Sequence, residues 1–257
     1  MGESIVITSG KGGSGKSTVA VNLGAALAAS GRSVVLVDMD MGMRSLDILC
    51  GLENKIVYDL ADVADGLCRV KQAIVKHPSI EGLHLVSAAQ TRGSDAISPA
   101  RSREVMEELK ARFDLVLIDC PAGVGRGFRN AASGADRALI VSLTDPVSLR
   151  DAERVAGLLA RSDILSPALA FNRALPMKGR RGGNRFVELA DRLGLTLVGV
   201  IPEDASIQIA TPEKWHAASP AVRAIRELSR RLMGEDLPLA RLSREPLIKR
   251  IVRAIVQ

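Results

Sequence analysis

Gly10-Lys11-Gly12-Gly13-Ser14-Gly15-Lys16-Ser17-Thr18 is the stretch of the chain densest in chemistry. It fits the pattern G-x-x-x-x-G-K-[ST], with an apolar run before it and a helical pattern after it. Glycines let such a loop wrap a phosphate with backbone N–H groups, and the N-terminus of the following helix adds partial positive charge. Lys16 is the residue to reach the outer phosphates of a nucleoside triphosphate, and the Ser17 hydroxyl the one to hold Mg²⁺. A glycine-rich turn lacking either flank would carry no such meaning. Here both are present.

Acids follow two other apolar runs. Asp114-Leu115-Val116-Leu117-Ile118-Asp119 is a strand pattern that ends in a carboxylate, which suits a Mg²⁺ ligand at Asp119, with Pro121-Ala122-Gly123 as a switch behind it. Asp38-Met39-Asp40 follows the second run. An acid in these places also suits a helix N-cap, and that reading stays open for Asp38 and Asp119.

The elements that must position these residues alternate almost to the end of the chain. Strands are expected at Ser4–Thr8, Ser33–Val37, Leu83–Ser87, Asp114–Ile118, Ala138–Leu143, Ala168–Asn172 and Thr196–Ile201. Helices are expected near Lys16–Ser30, Pro99–Ala111, Pro146–Arg161, Arg185–Leu193 and Pro220–Met233. Such alternation predicts an α/β fold, a mostly parallel sheet with helices on both faces. Ligands then collect beyond the carboxyl ends of the strands, where the polar motifs fall. Lys178–Gly183 reads as an exposed basic loop.

Composition fits this picture. Hydrophobic residues make up 47% of the 257 and aromatics 2%, so Ala, Val, Ile and Leu must build the core. Few aromatics also disfavour base stacking on nucleic acid. The net charge of +6, from 35 Lys+Arg against 29 Asp+Glu, favours anionic partners without choosing among them. Cys50, Cys68 and Cys120 are an odd number without a CxxC pair, and His77, His84 and His216 do not cluster with them. Small buried hydrophobes in a reducing cytosol are expected, with neither disulfides nor a zinc site. No signal peptide is expected, and no apolar stretch approaches the roughly 20 residues of a membrane span.

The tail differs from the rest. With Pro246 as the first helical residue, Leu247, Ile248, Ile251, Val252, Ile255 and Val256 fall within about half of a wheel of ~100° per residue. Lys249, Arg250 and Arg253 take the other side. A basic amphipathic helix of this kind suits the interface of an anionic membrane, although docking on the protein's own core uses the same pattern. Each cation contributes about 1 kcal/mol near anionic lipid, against on the order of 1 kcal/mol or more per ordered residue. One copy is then marginal, and two joined copies bind far better.

Lys11, a second lysine at the start of the phosphate loop, resembles the signature of the MinD/ParA family of P-loop ATPases. Matching stretches run from Ile5 to about Asp204. They include Asp38–Asp47, Val57-Tyr58-Asp59-Leu60, Ala88-Ala89-Gln90-Thr91-Arg92, Asp119–Gly123, Ser148–Arg154 and Val200–Asp204. The segment after the switch aspartates and Gln90-Thr91-Arg92 resemble the MinD branch more than the ParA branch. The resemblance implies ATP, Mg²⁺ and a homodimer in which Lys11 crosses to the γ-phosphate of the partner. It makes Lys11, Lys16, Asp38, Asp40 and Asp119 the catalytic set, with Asp40 positioning the attacking water and Asp38 arranging the site. Nucleotide contacts are implied at Lys11, Gly12, Gly13, Ser14, Gly15, Lys16, Ser17 and Thr18, and for the adenine at Asn172, Arg173, Pro202, Glu203 and Asp204. Ser17 and Asp119 would hold the metal.

The same resemblance implies weak ATPase activity stimulated by a MinE-like or other activator, and recruitment of a MinC-like division inhibitor, with Arg44 and Asp151 at the partner contacts. Residues 1–236 would form the ATPase domain. Residues 237–257 would form a connector and a membrane-targeting helix, its contacts at Leu247, Ile248, Lys249, Arg250, Ile251, Val252, Arg253 and Ile255. The protein would then sit in the cytoplasm, and on the inner face of the cell membrane when ATP-bound, with no specific nucleic acid. The alternative is a ParA-like ATPase that binds DNA non-specifically. A cluster-carrying relative similar to the nitrogenase iron protein fits poorly, since only Cys120 lies in a switch. Two stretches depart from the family pattern, Gly183-Asn184-Arg185 and Ala210–Pro220.

Overall fold

The computed structural model describes residues 2–162, 164, 166–175, 182–205, 207 and 219–239. The first half runs β1 (Glu3–Thr8), α1 (Lys16–Ala29), β2 (Val34–Asp38), α2 (Leu46–Cys50), a 3₁₀ turn at Glu53–Lys55, α3 (Leu60–Ala64), α4 (Val70–Ala73), β3 (Val75–Lys76) and β4 (Leu83–Val86). The second half runs α5 (Pro99–Lys110), β5 (Leu115–Asp119), α6 (Arg126–Ala132), β6 (Arg137–Ser142), α7 (Pro146–Ala160), β7 (Ala168–Ala174), α8 (Gly182–Leu193), β8 (Thr196–Pro202) and α9 (Pro220–Leu232).

The strands form one sheet in the order β3-β4-β2-β5-β1-β6-β7-β8. Every neighbouring pair is parallel except β3–β4 at the edge. Every residue of β2 and β5 is buried, and both are runs of Val, Leu and Ile that end in Asp. Strands covered on both faces show such unbroken apolar runs. Alternate residues feed two layers. Ile5, Ile7, Leu36 and Leu117 pack with α1, α2 and α9, whereas Val6, Val35, Val116 and Ile118 pack with α3 to α8.

α1 is buried nearly all round, which explains its alanine content and its lack of an apolar stripe. Gly24 sets its closeness to the sheet, since a Cβ there would meet Leu36 Cδ2 at 2.7 Å. α5, α7 and α9 open alike, on Ser98-Pro99, Asp145-Pro146 and Ser219-Pro220. In each, the first side chain accepts a first-turn N–H, at 3.2, 3.1 and 3.2 Å. Proline follows where no donor is needed.

α2, α3, α4, α6 and β3 are too short to display a period in the sequence. α3 rests on a local device instead. Asp59 accepts from the N–H groups of Ala61 and Asp62, and Asp62 accepts from that of Asp59. α8 begins at Gly182, inside the stretch expected to be a loop.

The last turn of α9 is fastened at the amino ends of the strands. Arg137, the first residue of β6, donates Nη2 to Leu232 O at 2.9 Å. Arg231 donates to Val198 O at 3.2 Å, to Leu237 O at 2.9 Å and to Pro238 O at 2.6 Å. The connector therefore starts from a fixed point.

Candidate functional site

The phosphate loop joins β1 to α1 with its backbone bent through the left-handed region at Gly13 (φ 79°) and Gly15 (φ 83°). Gly15 stands at the N-cap of α1, where no side chain satisfies the first-turn N–H groups. Two glycines are also fixed by neighbours. A Cβ on Gly10 would lie 2.4 Å from Asp151 Cβ, and one on Gly15 would lie 2.3 Å from Asn172 Nδ2. Asn172 in turn donates to Ser14 O at 2.8 Å, which ties β7 to the loop. Gly123 N donates to Ser9 O at 3.3 Å and brings the segment after β5 alongside.

The two lysines of the loop differ. Lys16 is buried, with Nζ 2.8 Å from Asp119 Oδ1 and 3.3 Å from Ser17 Oγ, whereas Lys11 is exposed. Burial lowers an ammonium pKa, but the Asp119 carboxylate outweighs it and holds Lys16 above its usual value. Burial also pushes the Asp119 carboxyl up, against the pull of Lys16.

Asp38 and Asp119 are register partners at the ends of β2 and β5. Burial first, and the neighbouring Asp119 second, push Asp38 up to about 6. Asp38 accepts three backbone N–H groups, from Asp40 at 2.9 Å and from Ser45 and Leu46 at 3.0 Å each. It thus steadies the turn that presents Asp40 and also serves the first turn of α2. Asp40 lies near enough to act electrostatically on both Lys16 and Asp119.

These residues fit a nucleotide and a divalent cation. The α1 N-terminus lacks a side-chain cap, and Ser14 Oγ and Asp119 Oδ2 are buried without a hydrogen-bond partner. A phosphate on the N–H groups and a cation at Asp119 and Ser17 would satisfy such groups. Next to the loop, Gly15, Thr18, Val19, Asn172, Arg173, Ile201, Pro202, Asp204, Ile207 and Ile225 line one cleft. Arg173 holds a positive φ of 50° there, and Asp204 accepts the Ser219 hydroxyl at 2.6 Å. Glu203 is exposed beside the cleft, its N–H bonded to Ala174 O at 3.2 Å. Val19, Ile201, Ile207 and Ile225 lie outside the expected set, because apolar residues of this kind reach the cleft only through the tertiary fold.

A family model described as an AAA domain matches residues 2–161. The septum site-determining protein MinD of Bacillus subtilis (strain 168) is 43% identical over 246 residues, which cover 93% of this chain and 92% of the relative. The chain belongs to the MinD family. Two solved structures from that family agree. In the MinC:MinD cell division protein complex of Aquifex aeolicus, the matching chain is 38% identical with a TM-score of 0.79, covering 93% of this chain and 98% of that one. MinD complexed with Mg-ADP from Pyrococcus horikoshii is 28% identical with a TM-score of 0.81, covering 91% and 97%. The chain is thus a P-loop ATPase of the MinD cell-division group, with the α/β sheet of that family.

The partner residues expected from the MinD resemblance sit in unlike settings. Arg44, at a positive φ of 37°, pairs with Asp47 and donates to Glu53 O at 3.2 Å. Asp151 is half-buried against Gly10, beside an open groove along α7 formed by Pro146, Val147, Arg150, Glu153 and Arg154. Residues Leu247–Ile255, expected to meet the membrane, lie outside the described residues, as do 208–218. Among the described residues, no helix is long and apolar enough to cross a membrane. All three cysteines are free and buried, with Cys50 and Cys120 pushed up to about 12 by burial.

Proposed function

We propose that this ATPase pairs when it binds ATP and Mg²⁺, attaches reversibly to membrane through residues 247–257, and recruits a MinC-like division inhibitor to place the division site. The contrast between its two loop lysines carries this reading. Lys16 is buried against Asp119, within reach of the phosphates of its own site. Lys11 is exposed at the mouth of the loop, where a cation can serve a nucleotide held by a second copy.

In this reading Lys16 and the loop N–H groups hold the phosphates, Ser17 and Asp119 hold Mg²⁺, and Asp40 positions the attacking water on a turn held by Asp38. The bound Mg²⁺ supplies charge neutralisation at the phosphates. Asn172, Arg173, Pro202, Glu203 and Asp204 shape the adenine site. Weak hydrolysis, stimulated by a MinE-like or other activator, resets the pair, and Arg44 and Asp151 lie at the partner contacts. The MinC:MinD complex and the Mg-ADP complex of relatives support the partner and the cofactors. The protein then works as a peripheral protein on the inner face of the cell membrane, with residues 1–236 as the ATPase domain and 237–257 as connector and tail.

A ParA-like role on DNA is the competing reading, and the six aliphatic residues on one face of the tail count against it. Sedimentation with anionic liposomes tests the proposal. Pelleting should require ATP and disappear in Ile251→Glu. Equal pelleting with ADP, or full pelleting of the variant, would refute it. Salt-sensitive retention on DNA in place of lipid would favour the competitor.

A further inference from the structure

Methionine stands at three alternate positions after β2, at Met39, Met41 and Met43. Their exposure is graded. Met39 is buried, Met41 is half-buried with Sδ accepting from Ala89 N at 3.4 Å, and Met43 is 76% exposed. The backbone fixes this arrangement, because Gly42 N donates to Ala89 O at 2.8 Å and Met43 N to Asp40 O at 3.2 Å. The Met43 thioether is therefore presented three residues from Asp40. Among the described residues, the other sulfur atoms are shielded. Met106 and the three cysteines are buried, and Met233 is half-buried. Among the described residues, Met43 is the sulfur most open to an oxidant.

We propose that Met43 is an oxidation-sensitive contact of the ATP-bound pair, covered by the second copy, and that its sulfoxide weakens pairing. The inference rests on the pairing read above from Lys11. Lys11, Gly12 and Gly13 are exposed at the carboxyl edge of the sheet, and the turn at Gly42 and Met43 is exposed at that same edge. β1 and β2 run parallel with β5 alone between them, so a second copy received at Lys11 faces the same edge that presents this large apolar side chain, which gains by being covered. Methionine suits such a contact because its unbranched chain adapts to the opposing surface.

The chemistry needs a peroxide. The sulfur lone pair attacks one oxygen of hydrogen peroxide, the S–O bond forms and the O–O bond breaks. The proton on the transferred oxygen passes to the departing hydroxide, which leaves as water. Sulfur is oxidised by two electrons and the peroxide is reduced by two. The product is polar and chiral, and burying it without a hydrogen-bond partner is unfavourable.

Full-length protein with Mg²⁺ and either ADP or a non-hydrolysable ATP analogue is treated with dilute hydrogen peroxide, then mapped by peptide mass and sized by light scattering. Met43 should gain one oxygen at least tenfold faster than Met39 or Met106 with ADP, and about fivefold more slowly with the ATP analogue. Peroxide should dissolve the wild-type pair and spare that of Met43→Leu, which keeps apolar volume, while Met43→Gln should pair poorly without oxidant. Equal Met43 reactivity with both nucleotides overturns the proposal. So does a Met43→Leu pair as peroxide-sensitive as wild type, or protection of Met43 that appears only on adding another protein. Wild-type protein that stays monomeric with ATP before any peroxide would instead overturn the pairing reading itself.

Discussion

Lys16 Nζ donates to Asp119 Oδ1 at 2.8 Å, so the phosphate loop and the end of β5 are joined by a buried ion pair. In the proposed function, loading a triphosphate with Mg²⁺ would ask both residues to change partners, the lysine for phosphate and the carboxylate for the cation. The pair keeps each charge compensated until then. Breaking such a pair from one side leaves an unpaired buried charge, at about 3–5 kcal/mol. Lys16→Ala should therefore lose nucleotide binding and also melt earlier. The stability loss, followed by urea unfolding, should shrink as pH falls and Asp119 takes up a proton. A variant that binds nucleotide normally would contradict this.

Gly15 carries two constraints at once, a φ of 83° and an amide nitrogen where its Cβ would go. Gly15→Ala should cost about 1–2 kcal/mol in backbone strain alone, and more through displacement of Asn172 from Ser14 O. Adding Asn172→Ala should recover only the steric part. Full recovery of melting temperature in the double variant would show that φ is not limiting.

Asp38 predicts an unusual pH profile. Its pKa rises on folding from 3.8 to about 6, so the native state binds the proton more tightly. Stability contributed by this group then grows as pH falls from about 6 towards 4, and is lost as pH rises through that window, by up to ~3 kcal/mol. Asp114, Asp136 and Asp145 act outside that window, since hydrogen bonds and charges hold them below the usual value and their contribution is lost only on further acidification. Urea midpoints of wild type and Asp38→Asn across pH 4 to 7 should diverge with this sign. Parallel profiles would refute it.

Lys11 should separate binding from pairing. Lys11→Ala should keep nucleotide affinity within a few-fold, fail to dimerise with ATP and hydrolyse it at least tenfold more slowly under activation. Normal dimerisation by light scattering would remove its role across the interface.

Much of this was readable in the sequence, for physical reasons that differ by element. The long buried strands and helices show in apolar runs, and the phosphate loop shows because its glycines and lysines are adjacent in the chain. Asp38, Asp40 and Asp119 were legible through their places after strands. The capping of α2 by Asp38 was not, because it depends on a turn of seven residues whose path no local pattern dictates. Ile207 and Ile225 reach the cleft beside the loop from distant sequence positions, and Arg44 carries no sign of its pairing with Asp47. Short helices such as α4 and α6 leave no period to read.

α9 is fastened at both ends, by Ser219 to Asp204 beside the cleft next to the phosphate loop and by Arg137 and Arg231 at the opposite edge of the sheet. Its thirteen residues form a strut of about 20 Å. The start of the connector is thus held at a fixed offset from the cleft beside the phosphate loop. In the proposed pair, the gap between the two connector starts would then be set by the pairing geometry. On that proposal, the length of chain between Pro238 and the apolar positions from Leu247 onward would decide whether both segments reach the same surface together.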